Sequence, residues 1–260
     1  MNEILFEVEN LRVSYGEEEI IKKVNLKLKS KRLTAILGLN GTGKTTMLKA
    51  ICGLIPSKSD KCNALGIDVR KLNEKKKARY ISYVPQKSNF TYNISTLDVV
   101  SMGFNPHLKF MQSPSLKQKQ YAKKVLGTLG LEEKAESDYL TLSGGQQQLA
   151  ILARAIVQQA PIMFFDEPDS ALDFLNHHLI LNRIREVIEN NNACGLITLH
   201  DPNYALTYCD EILLLKDGSI IENIECKKDS KEDIKRKLYL IYNDIDIIEY
   251  KNHYYVVKGV

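Results

Sequence analysis

Eight residues, Gly38-Leu39-Asn40-Gly41-Thr42-Gly43-Lys44-Thr45, limit what this chain can fold into more than any other stretch. They fit the pattern GxxxxGK[ST], follow the short apolar run Leu33–Leu37 and lead into a helix-forming stretch, Thr46–Leu54. Glycines let a backbone curl until successive N–H groups face inward, and the N-terminus of the next helix adds its partial positive charge. Such a loop cradles phosphate. Lys44 would reach the outer phosphates, and the Thr45 hydroxyl would ligate Mg²⁺. A glycine-rich turn that binds nothing would not need all eight positions satisfied between a strand and a helix.

The surroundings of the loop set the fold class. Leu33–Leu37, Tyr80–Val84, Ile162–Phe165 and Leu196–Leu199 are short, apolar and rich in strand formers, and helical stretches separate them. Buried strands alternating with helices predict an α/β fold with a mainly parallel sheet, a P-loop NTPase core. Ile4–Val13 and Val24–Lys29 alternate more openly, as an N-terminal antiparallel β layer would. From about Asn89 the pattern turns helical, with a long loop over Gly103–Ser115, so an α-helical subdomain is inserted at about residues 89–158. The ATPase domain is expected over residues 1–225. After it, residues 226–260 form a small extension, a charged helix and then a hairpin over Asp244–Val257.

Composition narrows the partners. The net charge of +4 over 260 residues is small, and no basic stripe points to nucleic acid. The lysine-rich stretches Glu74–Arg79 and Lys117–Lys124 read as solvated faces. Cys52, Cys62, Cys194, Cys209 and Cys226 are scattered, odd in number and without a CxxC pair, which suits a reducing compartment. Met1–Asn10 lacks the apolar core of a signal peptide, and no apolar run approaches the roughly 20 residues that span a bilayer.

A second chemical feature lies at Ile162-Met163-Phe164-Phe165-Asp166-Glu167-Pro168, four apolar residues ending in two acids. An acid at the end of a buried strand is costly unless it meets a cation. Asp166 is therefore placed to hold Mg²⁺, directly or through water. Successive residues leave a strand in different directions, so Glu167 becomes a candidate general base for an attacking water. A strand-end acid capping a helix would explain one of the two and not both. Gln86 follows the strand Tyr80–Val84, and His200 follows Leu196–Leu199. Ligands in open α/β sheets bind beyond the carboxyl ends of the strands, so these residues are expected on one edge with Gly38.

Leu142-Ser143-Gly144-Gly145-Gln146 discriminates among P-loop families. On its own it is a helix start, with Ser143 as cap and Gln147–Gln158 as the helix. Taken in order, Tyr15, the loop Gly38–Thr46, Gln86, Leu142–Gln146, Asp166-Glu167, Ser170-Ala171-Leu172-Asp173 and His200 make the chain resemble the ATP-binding-cassette ATPases over nearly its whole length. That resemblance implies a RecA-like core and two subunits arranged head to tail. It also implies that Tyr15 stacks on adenine, that residues Gly38, Leu39, Asn40, Gly41, Thr42, Gly43, Lys44, Thr45 and Thr46 surround the phosphates of ATP, and that Gln86 senses Mg²⁺ and the permease. Ser143, Gly144, Gly145 and Gln146 would close over ATP held by the opposite subunit, Glu167 would polarise the water, and His200 would contact the γ-phosphate. The implied partners are a second copy, integral-membrane permease subunits and, indirectly, an extracytoplasmic substrate-binding protein. The implied place is the cytoplasmic face of the cell membrane.

Three positions depart from the family pattern. Asp169 stands where Thr is usual, Gln147 where Arg is usual, and Asp60–Leu65 lacks the expected glycine and strand formers. Within the family the likeness runs to importers of iron–siderophore, haem and cobalamin. It is carried by Met102-Gly103-Phe104-Asn105-Pro106-His107, by Ser170–Phe174 and by the tail Leu238–Val256. Importers of molybdate or tungstate share much of this and stay open, as does a soluble cassette ATPase. About 100 residues separate the loop from Leu142–Gln146, with no sustained heptads of the kind found in chromosome-maintenance cassettes.

Overall fold

The computed structural model describes residues 3–87, 90, 93–168 and 173–259. Asn89, the expected start of the helical subdomain, lies outside the described residues, and so do Asp169 and the Ser170-Ala171-Leu172 segment. The chain divides into two compact units, Met1–Arg70 with Cys194–Val260, and Lys71–Ala193.

The first unit begins with β1 (Ile4–Tyr15), β2 (Glu18–Lys29), β3 (Leu33–Leu37), α1 (Lys44–Ile51), β4 (Lys61–Ala64) and β5 (Ile67–Asp68). β1 and β2 form an antiparallel hairpin, and alternation drives it. Phe6, Val8, Leu11 and Val13 turn inward with Ile21, Val24 and Leu28 opposite, while most intervening positions are charged. The sheet order is β2-β1-β4-β5. β4 forms where strand formers are lacking, because the central strand β1 supplies its ladder, Phe6 facing Ala64 and Val8 facing Cys62. Cys62 and Ala64 are buried, and Lys61 pairs with the Glu7 carboxylate. Pairing with a buried neighbour outweighs weak local propensity here.

The second unit contains α2 (Glu74–Lys77), β6 (Ile81–Val84), α3 (Thr96–Ser101), α4 (Leu116–Thr128), α5 (Gly144–Gln158), β7 (Ile162–Asp166) and α6 (Phe174–Asn190). β6 and β7 pair in parallel, Ile81 with Ile162 and Val84 with Phe165. Ser95, Ser115, Ser143 and Asp173 each accept a backbone N–H at a helix start. Such caps are worth about 0.5–2 kcal/mol each. α5 begins at Gly144, three residues before the expected Gln147, because the capping box of Ser143 and Gln146 draws the glycines into its first turn. The expected long loop starts as a 3₁₀ turn over Met102–His107. Phe104 is buried beside the Tyr121 ring, the Pro106 carbonyl accepts from Arg79 Nε at 2.8 Å, and His107 Nε2 lies 3.1 Å from the Gln158 carbonyl oxygen. This segment is built into the core of its unit.

The chain then returns to the first unit with β8 (Cys194–Thr198), α7 (Pro202–Tyr208), β9 (Glu211–Lys216), β10 (Ser219–Glu225), α8 (Lys231–Leu238), β11 (Ile245–Tyr250) and β12 (His253–Lys258). β3 pairs in parallel with β8 on one side and β9 on the other, and β10 adds antiparallel to β9. All five residues of β3 are therefore buried. The charged helix and terminal hairpin of the tail appear as expected, with β11 and β12 antiparallel from Ile245–Lys258 to Tyr250–His253.

One ion pair ties the start of β3 to the far end of β10. Arg32 donates to both oxygens of Glu225, at 2.5 and 3.3 Å, and Asp210 accepts the Leu33 N–H at 3.0 Å. The hydrogen bond from Arg32 holds the Glu225 carboxyl below its usual range. A depressed carboxyl contributes stability that is present above its unfolded pKa and lost as pH falls through the folded value. Glu225→Gln is expected to lower stability by about 1 kcal/mol at neutral pH. In urea melts the gap to the parent should close as pH drops below about 4, the ordinary carboxylate range. A gap that persists in acid would assign the loss to packing.

Candidate functional site

In the first unit the end of β3 turns into the phosphate loop under tight steric limits. A Cβ on buried Gly38 would collide with the Leu215 carbonyl oxygen at the end of β9, so the loop begins where no side chain fits. Gly43 has φ 98° and is the N-cap of α1, a left-handed conformation that side chains strain. The Thr42 hydroxyl closes the turn by donating to the Leu39 carbonyl at 2.9 Å. Leu39, Asn40 and Gly41 are exposed at its crown, and Thr45 and Thr46 are half-buried in the first turn of α1. Lys44 is 95% buried, and its Nζ donates to the Gly38 and Leu39 carbonyls at 2.8 and 3.2 Å. The ammonium thus sits inside the curl, at the N-terminus of α1, where an anion would be met by charge and by N–H groups together.

Two more sequence-predicted residues share this unit. Leu199 N–H donates to the Ile36 carbonyl at 3.3 Å, so His200 leaves β8 beside the strand that feeds the loop. Tyr15, the last residue of β1, is 55% exposed, which leaves its ring face open for stacking.

The second unit holds the acids. β7 is buried throughout, and Asp166, 1% exposed, accepts from the Tyr83 hydroxyl at 3.0 Å. Glu167 has φ 45°, a strained value for a residue with a side chain, costing about 1–3 kcal/mol. The turn gives its carboxylate a different partner, Gln86 Nε2 at 2.5 Å. Gln86 is itself steadied from α5, where buried Gln148 donates to the Pro85 carbonyl at 3.3 Å. The sequence singles out Gln86, Asp166 and Glu167, and it gives no sign of the Tyr83 and Gln148 contacts that surround them.

The Ser143–Gln146 segment is a complete capping box. Ser143 Oγ accepts the Gln146 N–H at 3.3 Å, and Gln146 Oε1 accepts the Ser143 N–H at 3.1 Å. Gln147 uses its amide to bind the Tyr139 and Leu142 carbonyls at 3.2 and 3.3 Å, so it fastens the preceding turn to α5. Gly144 is different in kind. It is exposed, its φ is not positive, and a Cβ there would meet nothing within 4 Å. Nothing in its own chain requires a glycine at that position.

Comparison with known proteins adds a family. Residues 21–170 match the ABC transporter family. A Helicobacter pylori protein described as an iron chelatin transport ATP-binding protein is 35% identical, over 84% of this chain and 86% of its own. The hemin import ATP-binding protein of Pseudomonas entomophila is 32% identical, over 82% and 84% respectively. Among solved structures, a metal-chelate type ABC transporter in an inward-facing conformation matches with a TM-score of 0.80 and 27% identity. That match covers 98% of this chain and 96% of the other. A dimeric ABC transporter cassette matches with a TM-score of 0.75 and 28% identity, over 85% and 98%.

The two glycines should respond in opposite ways to an added methyl group. Gly38→Ala overpacks a backbone contact, which is expected to cost about 1–3 kcal/mol. Gly144→Ala enters open space at a helical position, where alanine is favoured by roughly 0.5–1 kcal/mol. Denaturant melts of both variants check this; equal losses would contradict the geometry.

Proposed function

The chain belongs to the ABC transporter family, and from that premise we propose that it powers an importer of a metal chelate such as an iron–siderophore, haem or cobalamin. It works as a head-to-tail pair on two permease subunits, at the cytoplasmic face of the cell membrane, with an extracytoplasmic binding protein delivering cargo. The observation that carries the ATPase reading is the phosphate loop, with Lys44 held inside a curl that two glycines make possible. Among the described residues no helix is long and apolar enough to cross a membrane.

Each residue has a role in this reading. Tyr15 stacks on adenine. The N–H groups from Gly38 to Thr46 and the Lys44 ammonium bind the phosphates. The Thr45 hydroxyl and the Asp166 carboxylate are oxygen donors that suit a hard cation, so these two would hold Mg²⁺, which shields phosphate charge when bound. Tyr83 orients Asp166. Glu167 takes a proton from the attacking water, and Gln86, bonded to it, links that carboxylate to the helical region that meets the permease. His200 contacts the γ-phosphate. The Ser143–Gln146 segment faces ATP on the opposite copy, and the open space over Gly144 supports that placement, because another molecule can press against it.

The chelate reading draws on relatives named for iron chelatin and hemin, and the phosphate-loop ATPase does not depend on it.

Two measurements follow. Glu167→Gln keeps the shape and the Gln86 contact but removes the base, so steady-state hydrolysis should fall by about 10²–10⁴. The variant should still bind ATP and elute as a pair of chains by size exclusion. Near-normal turnover would move the base elsewhere; a monomer with ATP bound would remove the head-to-tail pair. For cargo, the chain is reconstituted in vesicles with its neighbouring permease and binding protein, and iron chelates, haem, cobalamin and molybdate are scanned. A metal chelate should be imported with ATP turnover. Transport of molybdate alone would overturn the cargo, and robust turnover without any permease contact would overturn transport.

A further inference from the structure

The tail beyond Cys226 makes contacts that its size does not require. After α8 the chain crosses the carboxyl edge of the first unit's sheet, touching two strand ends that flank β3. Lys216, at the end of β9, donates through Nζ to the Leu240 carbonyl at 3.0 Å. The Tyr242 hydroxyl then lies 3.5 Å from the His200 carbonyl oxygen, at the end of β8. Both strands pair directly with the strand that opens the phosphate loop.

The hairpin that follows is seated on α7, the helix that begins two residues after His200. Asn203, in the first turn of α7, uses its amide as a peptide would. Its Oδ1 accepts the Val256 N–H at 2.7 Å, and its Nδ2 donates to the Val256 carbonyl at 3.2 Å. Toward the far end of α7 the hairpin stands away, leaving a cavity of about 510 Å³ bordered by Leu206, Thr207, His253 and Tyr254. The Asn203 clamp sits at the end of α7 that adjoins His200. The cap of that helix, Asp201, accepts the Asn203 N–H at 2.8 Å, so the His200 turn, the cap and the clamp form one short connected path. Burial first, and the Asp201 charge second, push the Tyr242 phenol up to about 12. Its hydroxyl therefore keeps the proton it donates.

We propose that the C-terminal extension is a positioning element for His200, with Tyr242 holding the His200 peptide and the Asn203–Val256 clamp holding Tyr242's segment against α7. The inference rests on His200 acting on the γ-phosphate. It goes beyond that role by giving the tail a part in turnover and none in nucleotide affinity. The Tyr242 hydroxyl reaches the His200 carbonyl, so it acts through the histidine as a positioning residue. A hydroxyl on a backbone carbonyl restricts where the next peptide can go, and small displacements of a group that meets a transition state cost rate before they cost binding.

The test is a double-mutant cycle in the full-length chain, reading kcat and, by titration, ATP affinity. Tyr242→Phe removes one oxygen and should lower kcat about two- to tenfold, the effect of one net hydrogen bond. ATP affinity should stay within about twofold, a change of under about 0.5 kcal/mol. Asn203→Ala, which frees the hairpin, should lower kcat in the same sense with melting temperature tracked alongside. In a His200→Ala background, Tyr242→Phe should change nothing further. An equal loss in both backgrounds, a loss of affinity that matches the loss of turnover, or unchanged kcat in both tail variants would each overturn the proposal. If His200→Ala alone turns over normally, the reading of His200 itself fails, and that result is visible without touching the tail.

Discussion

A backbone contact with no room for a side chain organises the first unit. Gly38 presses against the Leu215 carbonyl because β3 lies between two parallel neighbours and the strand ends converge there. If the loop started one side chain further out, its curl would lose the footing that aims its N–H groups. The same pairing fixes His200 next to the loop through the Leu199–Ile36 hydrogen bond. The Arg32–Glu225 pair anchors the opposite end of β3. The strand is held at both ends, so the loop inherits a rigid base.

In the second unit the equivalent support is α5. Three of its glutamines reach out to separate stretches of backbone: Gln147 to the turn before the helix, Gln148 to Pro85, and Gln158 to the Ala78 and Ile81 carbonyls at 2.7 and 2.9 Å. Each places a side-chain donor on backbone carbonyls outside its own helix. Through Gln148 the helix that begins at Gly144 holds the backbone next to Gln86. Two carboxylates on one strand end receive different donors, the Tyr83 hydroxyl and the Gln86 amide, so the two acids are held in different surroundings.

The sequence made the phosphate loop, the paired acids and the helix cap at Ser143 readable because each is local: a turn, a strand end or a cap carries its own signature within a few residues. Fold class was readable for the same reason, as apolar strands alternate with helices. What stayed hidden depends on distant partners. β4 forms because β1 is next to it, not because Lys61-Cys62-Asn63-Ala64 prefers a strand. The Gly103–His107 stretch reads as a loop until Arg79, Tyr121 and Gln158 are placed around it. Tyr83, Gln148 and Asn203 carry no pattern at all, since their importance lies in one carbonyl or carboxylate far along the chain.

The Lys44 ammonium has consequences for discrimination among ligands. It already has two carbonyl acceptors inside its own loop, so an arriving molecule gains only the difference between its oxygen and those carbonyls. A neutral hydroxyl or carbonyl group offers no improvement and is turned away. An oxygen of an ionised phosphate does improve on them, because charge-assisted bonds are roughly twice as strong as neutral ones. The two internal acceptors therefore bias the loop toward anions and against neutral groups.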